Sequence, residues 1–237
     1  MTNAESHNGA VRGHIKSRER VHDLAEVYTN EREVNAMLDL VAGMFPDDSL
    51  SGVDSKFLEP GCGSGNFLVE ILRRKLRPIR LAALGDVDEY EHWLLRALAS
   101  IYAVDICAEN VVESQHRLAT VLDAHYRADA DNRSPSLGFT SASRTILGTN
   151  VLRADMLTEA SRLEVIDYQP AGRGCFVRTW SVLDESLTAQ AQTDLFMPDQ
   201  SAKCDEVPLH YSRLADSPDP TSASLTEPQN LGATDDC

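Results

Sequence analysis

The chain has 237 residues, 42% of them apolar, and carries 22 Lys and Arg against 37 Asp and Glu, a formal net charge of −15. That length accommodates one ordinary domain with appendages, or two small domains. The acidic balance argues against a protein that grips nucleic acid by net charge alone, and no stretch approaches the roughly 20 unbroken apolar residues of a membrane span. The N-terminal run MTNAESHNGAVRGHIKSRER has no apolar stretch behind its charges, so it does not read as a secretory signal. Five cysteines, at 62, 107, 175, 204 and 237, are odd in number and widely spaced. They fit neither a disulfide framework nor a zinc ribbon, and we read a cytoplasmic protein with reduced thiols. The seven histidines show no ligand spacing, and no metal is expected.

Residues 1–26 read as a polar lead-in. The first helix is predicted after Asn30, which can cap it with Glu33 as the capping-box partner, and Val34, Met37, Leu38, Val41 and Phe45 fall on one face. Pro46-Asp47-Asp48-Ser49 ends it. Lys56-Phe57-Leu58-Glu59 reads as a short strand, followed by the turn Pro60-Gly61-Cys62-Gly63-Ser64-Gly65. Phe67, Leu68, Ile71, Leu72 and Leu76 mark the next helix, with Lys75 and Arg77 in its last turn, where they suit the helix dipole. A further helix near Asp88–Ala99 feeds an apolar strand, Ile101 to Ile106, and a helix carrying Val111, Leu118, Leu122 and Tyr126 follows.

Arg127–Ser143 reads as a polar loop, and a third strand is predicted within Asn150–Met156. Glu164–Tyr168 and Cys175–Val182 flank Pro170-Ala171-Gly172-Arg173-Gly174 as a β-hairpin. From Leu187 to Cys237 there are nine Asp and Glu, two Lys and Arg and half of the ten prolines, with no sustained period. Such a composition buries too little apolar surface to offset chain entropy, so 187–237 reads as a disordered acidic tail. Val207-Pro208-Leu209-His210-Tyr211 is its one candidate docking segment. The core domain is then 27–186, a parallel sheet begun by strand, glycine turn, helix, strand, helix and strand. Ligands in such sheets bind beyond the carboxyl ends of the strands.

The glycine turn is the most informative segment. Glycine serves where backbone must approach a ligand without a Cβ in the way, or where φ is positive. A helix N-terminus beyond the turn offers free amide donors. The spacing departs from the dinucleotide fingerprint G-x-G-x-x-G, because its third position falls on Leu68, and no G-K-[ST] follows to make a P-loop. Asp105, ending the second strand, can accept two hydrogen bonds from a vicinal diol. It can also cap the helix beginning near Ala108. Asp155 has the same open choice between a ligand contact and a plain surface position.

Glu59-Pro60-Gly61-Cys62-Gly63-Ser64-Gly65 resembles motif I of class I S-adenosylmethionine-dependent methyltransferases. The resemblance implies a Rossmann-like α/β fold in which the turn passes under S-adenosylmethionine and Glu59 orders the methionine and ribose end. Asp105 would then take the ribose hydroxyls, and Asp155 would lie near the adenine amino group. Glu26-Val27-Tyr28-Thr29 with the helix after it is similar to motif X of adenine-N6 DNA methyltransferases of restriction–modification systems, although Asn30 stands where their Phe-Thr-Pro turn has Pro. The likeness spans roughly Val21 to Val182. It implies a cofactor site of Tyr28, Thr29, Glu59, Pro60, Gly61, Gly63, Gly65, Phe67, Asp105, Ile106 and Asp155.

The catalytic motif of that group, Asn/Asp-Pro-Pro-Tyr/Phe, is missing, since the chain contains no Pro-Pro. Asp167-Tyr168-Gln169-Pro170 has the wrong order, so the catalytic residues stay unknown, and no recognition domain follows. Three readings result. The chain is a DNA adenine-N6 methyltransferase or the cofactor-binding part of one. Or it is an inactive cofactor-binding subunit or degenerate copy, with a second chain supplying the catalytic and recognition parts. Or it methylates a different, smaller substrate. Arg73, Arg74, Lys75, Arg77 and Arg80 form a local basic cluster that reads either as a DNA-facing groove or as a solvated helix end.

Overall fold

The computed structural model describes residues 29–130, 133–183 and 203–221. It is an α/β structure with two small sheets. In the first, β1 (Phe57–Glu59), β2 (Ile101–Asp105) and β3 (Val151–Arg153) are parallel in the order β1-β2-β3. Phe57 pairs with Ile101, Glu59 with Ala103 and Asp105 with Arg153. β2 is buried at all five positions, as expected of a central strand covered on both faces.

Side chains alternate across a strand. Phe57, Ile101, Ala103 and Val151 therefore join the main core with the helices. Leu58, Tyr102, Val104 and Leu152 face the other way and pack with Val165, Leu183 and Leu163. Glu59 and Asp105 share the helix-covered side, because they fall in step with Phe57 and Ile101.

The helices are α1 (Glu31–Asp39), α2 (Asn66–Leu76), α3 (Leu81–Leu84), α4 (Val87–Ala99), α5 (Ala108–Asp129) and α6 (Leu137–Asn150). The predicted capping box at α1 is present: Asn30 Oδ1 accepts from the Glu33 amide and Glu33 accepts from the Asn30 amide. The apolar face of α1 differs from expectation. Only Val34 and Leu38 are buried, while Met37, Leu40, Val41 and Met44 stay exposed. The helix stops at Asp39 and a 3-10 turn at Ala42–Met44 swings the chain away, which brings Phe45 to stack on Phe57 at 5.0 Å. No helix among the described residues is long and apolar enough to cross a membrane.

Two expectations are corrected. Arg127–Ser143 is not a loop: α5 continues to Asp129, and α6 begins at Leu137 with Ser136 as its cap. Serine, threonine and two glycines give α6 poor intrinsic propensity. Burial of Phe139, Ala142, Ile146 and Leu147 overrides it, and Thr145 and Thr149 return their hydroxyls to carbonyls one turn back.

The other correction concerns the acidic tail. Residues 203–221 are folded onto the second sheet, where β4 (Glu164–Pro170) and β5 (Cys175–Val182) make the predicted hairpin. β6 (Leu209–His210) adds to β5 with Cys175 opposite His210 and Phe176 opposite Leu209. The candidate docking segment thus docks within its own chain. Two buried polar contacts hold it there. Arg178 and Asp205, with side chains 1% and 0% exposed, form an ion pair at 2.8 Å. Tyr211 donates to Glu91 at 2.8 Å. Glu91 is itself fully buried and also accepts from Tyr126 and Ser136. The rest of the predicted tail, and the 1–26 lead-in, lie outside the described residues.

Candidate functional site

The carboxyl ends of β1 and β2 are tied together by the glycine turn. The Cys62 amide donates to the Val104 carbonyl at 3.0 Å, extending the β1–β2 pairing past Glu59. The next donor, the Gly63 amide, reaches the Asp105 carboxylate at 2.8 Å. The Gly65 amide then closes the turn onto the Cys62 carbonyl at 2.8 Å.

The glycines divide into two kinds. Gly65 has φ +82°, and a Cβ placed there would sit 2.8 Å from Ser114 Oγ on α5, so both conformation and packing require glycine. An added Cβ at Gly61 or at Gly63 (φ +52°) would meet nothing within 4 Å. The turn therefore presents an open, side-chain-free surface at Gly61 and Gly63, and packs against α5 at Gly65. Gly65 offers no side chain to cap α2, so the first turn of that helix keeps its amide donors for another acceptor.

Two carboxylates flank the turn, and both raise the pKa of Cys62 by their charge. That thiol is pushed up to about 12, chiefly by burial. A thiol so held is protonated and inert. Glu59 is half-buried. Burial raises its pKa, opposed by the Gly61 amide that donates to it. Asp105 is 8% exposed and already well used. Its Oδ2 accepts from Gly63, and its Oδ1 accepts from the Cys107 amide at 2.8 Å and from Asn110 Nδ2 at 3.2 Å. A carboxylate offers about four acceptor positions. Asp105 is thus left with room for one hydroxyl, and Glu59 has the larger free capacity. The helix cap considered for Asp105 is not formed: Cys107 occupies the N-cap of α5 with no side-chain cap bond, and Asp105 instead closes a local turn onto the Cys107 amide.

The remaining candidates fall around this centre unequally. Ile106 follows Asp105 and is 55% exposed, an apolar side chain at the strand-end rim. The Asp155 segment is joined to it: the Ala154 amide donates to the Asp105 carbonyl and Arg153 Nε to the Ile106 carbonyl, both at 3.1 Å. The Asp155 carboxylate caps its own turn, accepting from the Leu157 amide at 2.9 Å. Phe67 is partly buried against the core, and Pro60 is exposed. Thr29 is brought to the turn, since its carbonyl accepts from Asn66 Nδ2 at 3.0 Å. Tyr28 lies outside the described residues.

Sequence reasoning passed over a second set. Asn110, Ser114 and Arg117 are spaced i, i+4, i+7 along α5 and all face the turn. Asn110 holds Asp105, Ser114 donates to the Gly63 carbonyl at 3.0 Å, and Arg117 donates to the Ser64 carbonyl and to Asn66 Oδ1. A polar stripe at helical spacing beside the apolar Val111, Leu118 and Leu122 was the signal.

The basic cluster does not form a groove. Lys75 is fully buried, donating to the Val53 and Ser55 carbonyls at 2.8 and 2.6 Å. Arg74 is paired with Glu70 and Asp39, and Arg80 with Asp129. Among the described residues no three His, Cys, Asp or Glu side chains gather as a metal site. No family model, no curated protein and no solved structure matches the chain.

Proposed function

We propose that the chain binds S-adenosylmethionine at the carboxyl ends of β1, β2 and β3, as the cofactor-binding part of a DNA adenine-N6 methyltransferase of class I type. The observation that carries this reading is the junction of the turn with the second strand. Gly63 is bonded to Asp105, while Gly61 and Gly63 leave open backbone next to Glu59. The strand order fits, because it brings one acidic strand end beside another with the third strand following.

In this reading Glu59 takes hydroxyl or ammonium donors of the ligand, being the carboxylate with free acceptor positions. Asp105 offers its one remaining position to a ribose hydroxyl and keeps the turn in shape. Ile106 supplies an apolar surface for a purine ring. Amides of the first turn of α2 suit a carboxylate. When bound, S-adenosylmethionine supplies an electrophilic methyl group on a sulfonium. Glu59, Asp105 and the open backbone of Gly61 and Gly63 would hold and orient such a ligand.

A second chain as the source of the catalytic strand is favoured by one further observation. β1 is an edge strand among the described residues, and β4, the next strand in the chain after β3, pairs with β5 in a separate sheet. Base methylation in a duplex needs an extruded adenine, stacked and hydrogen-bonded by the enzyme. The sequence has no Asn-Pro-Pro-Tyr motif, the basic cluster at the end of α2 makes no groove among the described residues, and the net charge of −15 opposes non-specific phosphate attraction.

The test is calorimetric titration with S-adenosylmethionine, followed by tritiated methyl transfer to unmethylated DNA. We expect saturable binding with no turnover by the chain alone. Absence of binding would sink the cofactor reading. Robust methylation of adenine, lost in Glu59→Ala, would restore a complete enzyme.

A further inference from the structure

Asn66 connects three parts of the chain through one side chain. It is the first residue of α2, directly after Gly65. Its Nδ2 donates to the Thr29 carbonyl at 3.0 Å, and its Oδ1 accepts from Arg117 Nη1 at 2.9 Å. The same guanidinium donates to the Ser64 carbonyl. The orientation of the amide follows from these partners: a guanidinium has only donors and a carbonyl only accepts, so Oδ1 must face Arg117 and Nδ2 must face Thr29. The partners lie 37 and 51 residues away in sequence, so the contact is tertiary and not part of helix geometry.

Thr29 and Asn30 lead into α1. Besides the apolar packing of Val34 and Leu38, polar side chains of α2 fasten that helix and its lead-in at two places among the described residues. Toward its C-terminal half, Arg74 grips Asp39 and Asn35. At its start, the contact through a side chain of α2 is Asn66 with Thr29. Arg117 in turn reads the glycine turn directly, since it holds the carbonyl of Ser64 between Gly63 and Gly65.

We propose that Asn66, oriented by Arg117, is a latch that fixes the Thr29–Asn30 lead-in at the rim of the glycine turn and thereby sets how long S-adenosylmethionine stays bound. The inference rests on the cofactor reading of the turn. Asn66 and Arg117 are positioning residues: they act on the segment beside the ligand. Differences in affinity between related complexes are carried mostly by dissociation, and opening of such a segment is a dissociation step.

Two variants separate the parts. Asn66→Asp keeps the acceptor for Arg117 and loses the donor to Thr29. Arg117→Met leaves the amide but removes what orients it. Release of tritiated S-adenosylmethionine is followed after a chase with unlabelled compound, and hydrogen exchange is measured on the ligand-free chain. We expect release about tenfold faster in Asn66→Asp, the size of one lost hydrogen bond, with association within about twofold. Exchange should rise at residues 30–34 and stay level at 61–69. Unchanged release in both variants overturns the proposal. So does equal loosening of 61–69, which would make Asn66 a support of the turn alone. If the unmodified chain retains no S-adenosylmethionine, the cofactor reading and the residence-time half fall. Exchange at 30–34 then decides the latch by itself, and no rise in Asn66→Asp rejects it.

Discussion

The substitution Asp205→Ala removes the acceptor of five hydrogen bonds at once: from Arg178 N, Nε and Nη2, and from Thr221 N and Oγ1. Arg178 is then a guanidinium 1% exposed with no carboxylate partner, left with the Ser217 and Asp219 carbonyls and the Trp180 ring at 4.9 Å. Breaking a buried pair on one side costs about 3–5 kcal/mol, because the remaining charge stays desolvated. Small domains are stable by about 5–15 kcal/mol in total, so much of the margin goes. With a urea slope of about 2 kcal/mol/M, the midpoint should fall by roughly 1.5–2.5 M. The pair Asp205→Ala with Arg178→Met should recover a good part of the loss, since an apolar replacement leaves no orphan charge. Acid behaviour gives an independent check. Burial would raise the Asp205 carboxyl, but the Arg178 guanidinium and the donating amides outweigh it and hold the pKa below its ordinary 3.8. A depressed acid contributes stability that is present above the unfolded value and lost as pH falls through the folded one. The steepness of acid unfolding below about pH 4 should therefore be reduced in Asp205→Ala. A single variant within about 1 kcal/mol of the parent, or a double variant worse than the single, would refute the reasoning.

Lys75 should make stability rise with pH. Burial pushes its amine from 10.5 down to about 7, so the unfolded chain binds more protons over that window and stability is lost as pH falls from about 10 toward 7; denaturation of Lys75→Met should show a flatter profile. Gly65→Ala meets Ser114 and forces alanine to φ +82°, which should cost about 1–3 kcal/mol of stability by strain and overpacking, measured by thermal melting. Gly61→Ala fills open space and should leave stability within about 0.5 kcal/mol while weakening S-adenosylmethionine in calorimetry. Asp105→Ala should weaken that binding by about 1–3 kcal/mol, and unchanged affinity would remove Asp105 from the site.

The parts of the fold that were legible depend on neighbours in sequence. The α1 capping box spans Asn30 to Glu33, three residues, and formed as read. The glycine turn was found because its residue types mark a conformation, and the hairpin because two β-rich runs flank Gly172 and Gly174. Where burial overrode propensity the reading failed. The first half of α6, inside Arg127–Ser143, read as a polar loop on its Ser, Thr and Gly, yet its Phe139 and Ala142 are buried in one core with Ala99 and Tyr126. Met37 and Val41 read as part of a core stripe, yet both stay exposed, because the helix ends at Asp39 and the chain turns away.

The folded return segment was illegible for a different reason. Composition counts Glu91 and Asp205 as solvated charge, and on that count 187–237 is too acidic and too proline-rich to fold. In the structure each of these carboxylates is the buried hub of a long-range hydrogen-bond set. Glu91 gathers Tyr126, Ser136 and Tyr211, and Asp205 gathers Arg178 and Thr221. A buried acid of this kind adds a negative charge to the formula while its oxygens are taken up by hydrogen bonds inside the fold. The same reasoning applies at the candidate site. Asp105 was chosen from its place at a strand end, but its capacity for a ligand is set by Gly63, Cys107 and Asn110, two of which lie beyond the motif. Sequence position nominates a carboxylate, and the donors that tertiary structure has already given it decide how much of it is left for a ligand. On that measure Glu59, with the Gly61 amide donating to it, keeps more acceptor capacity than Asp105, which already takes three donors.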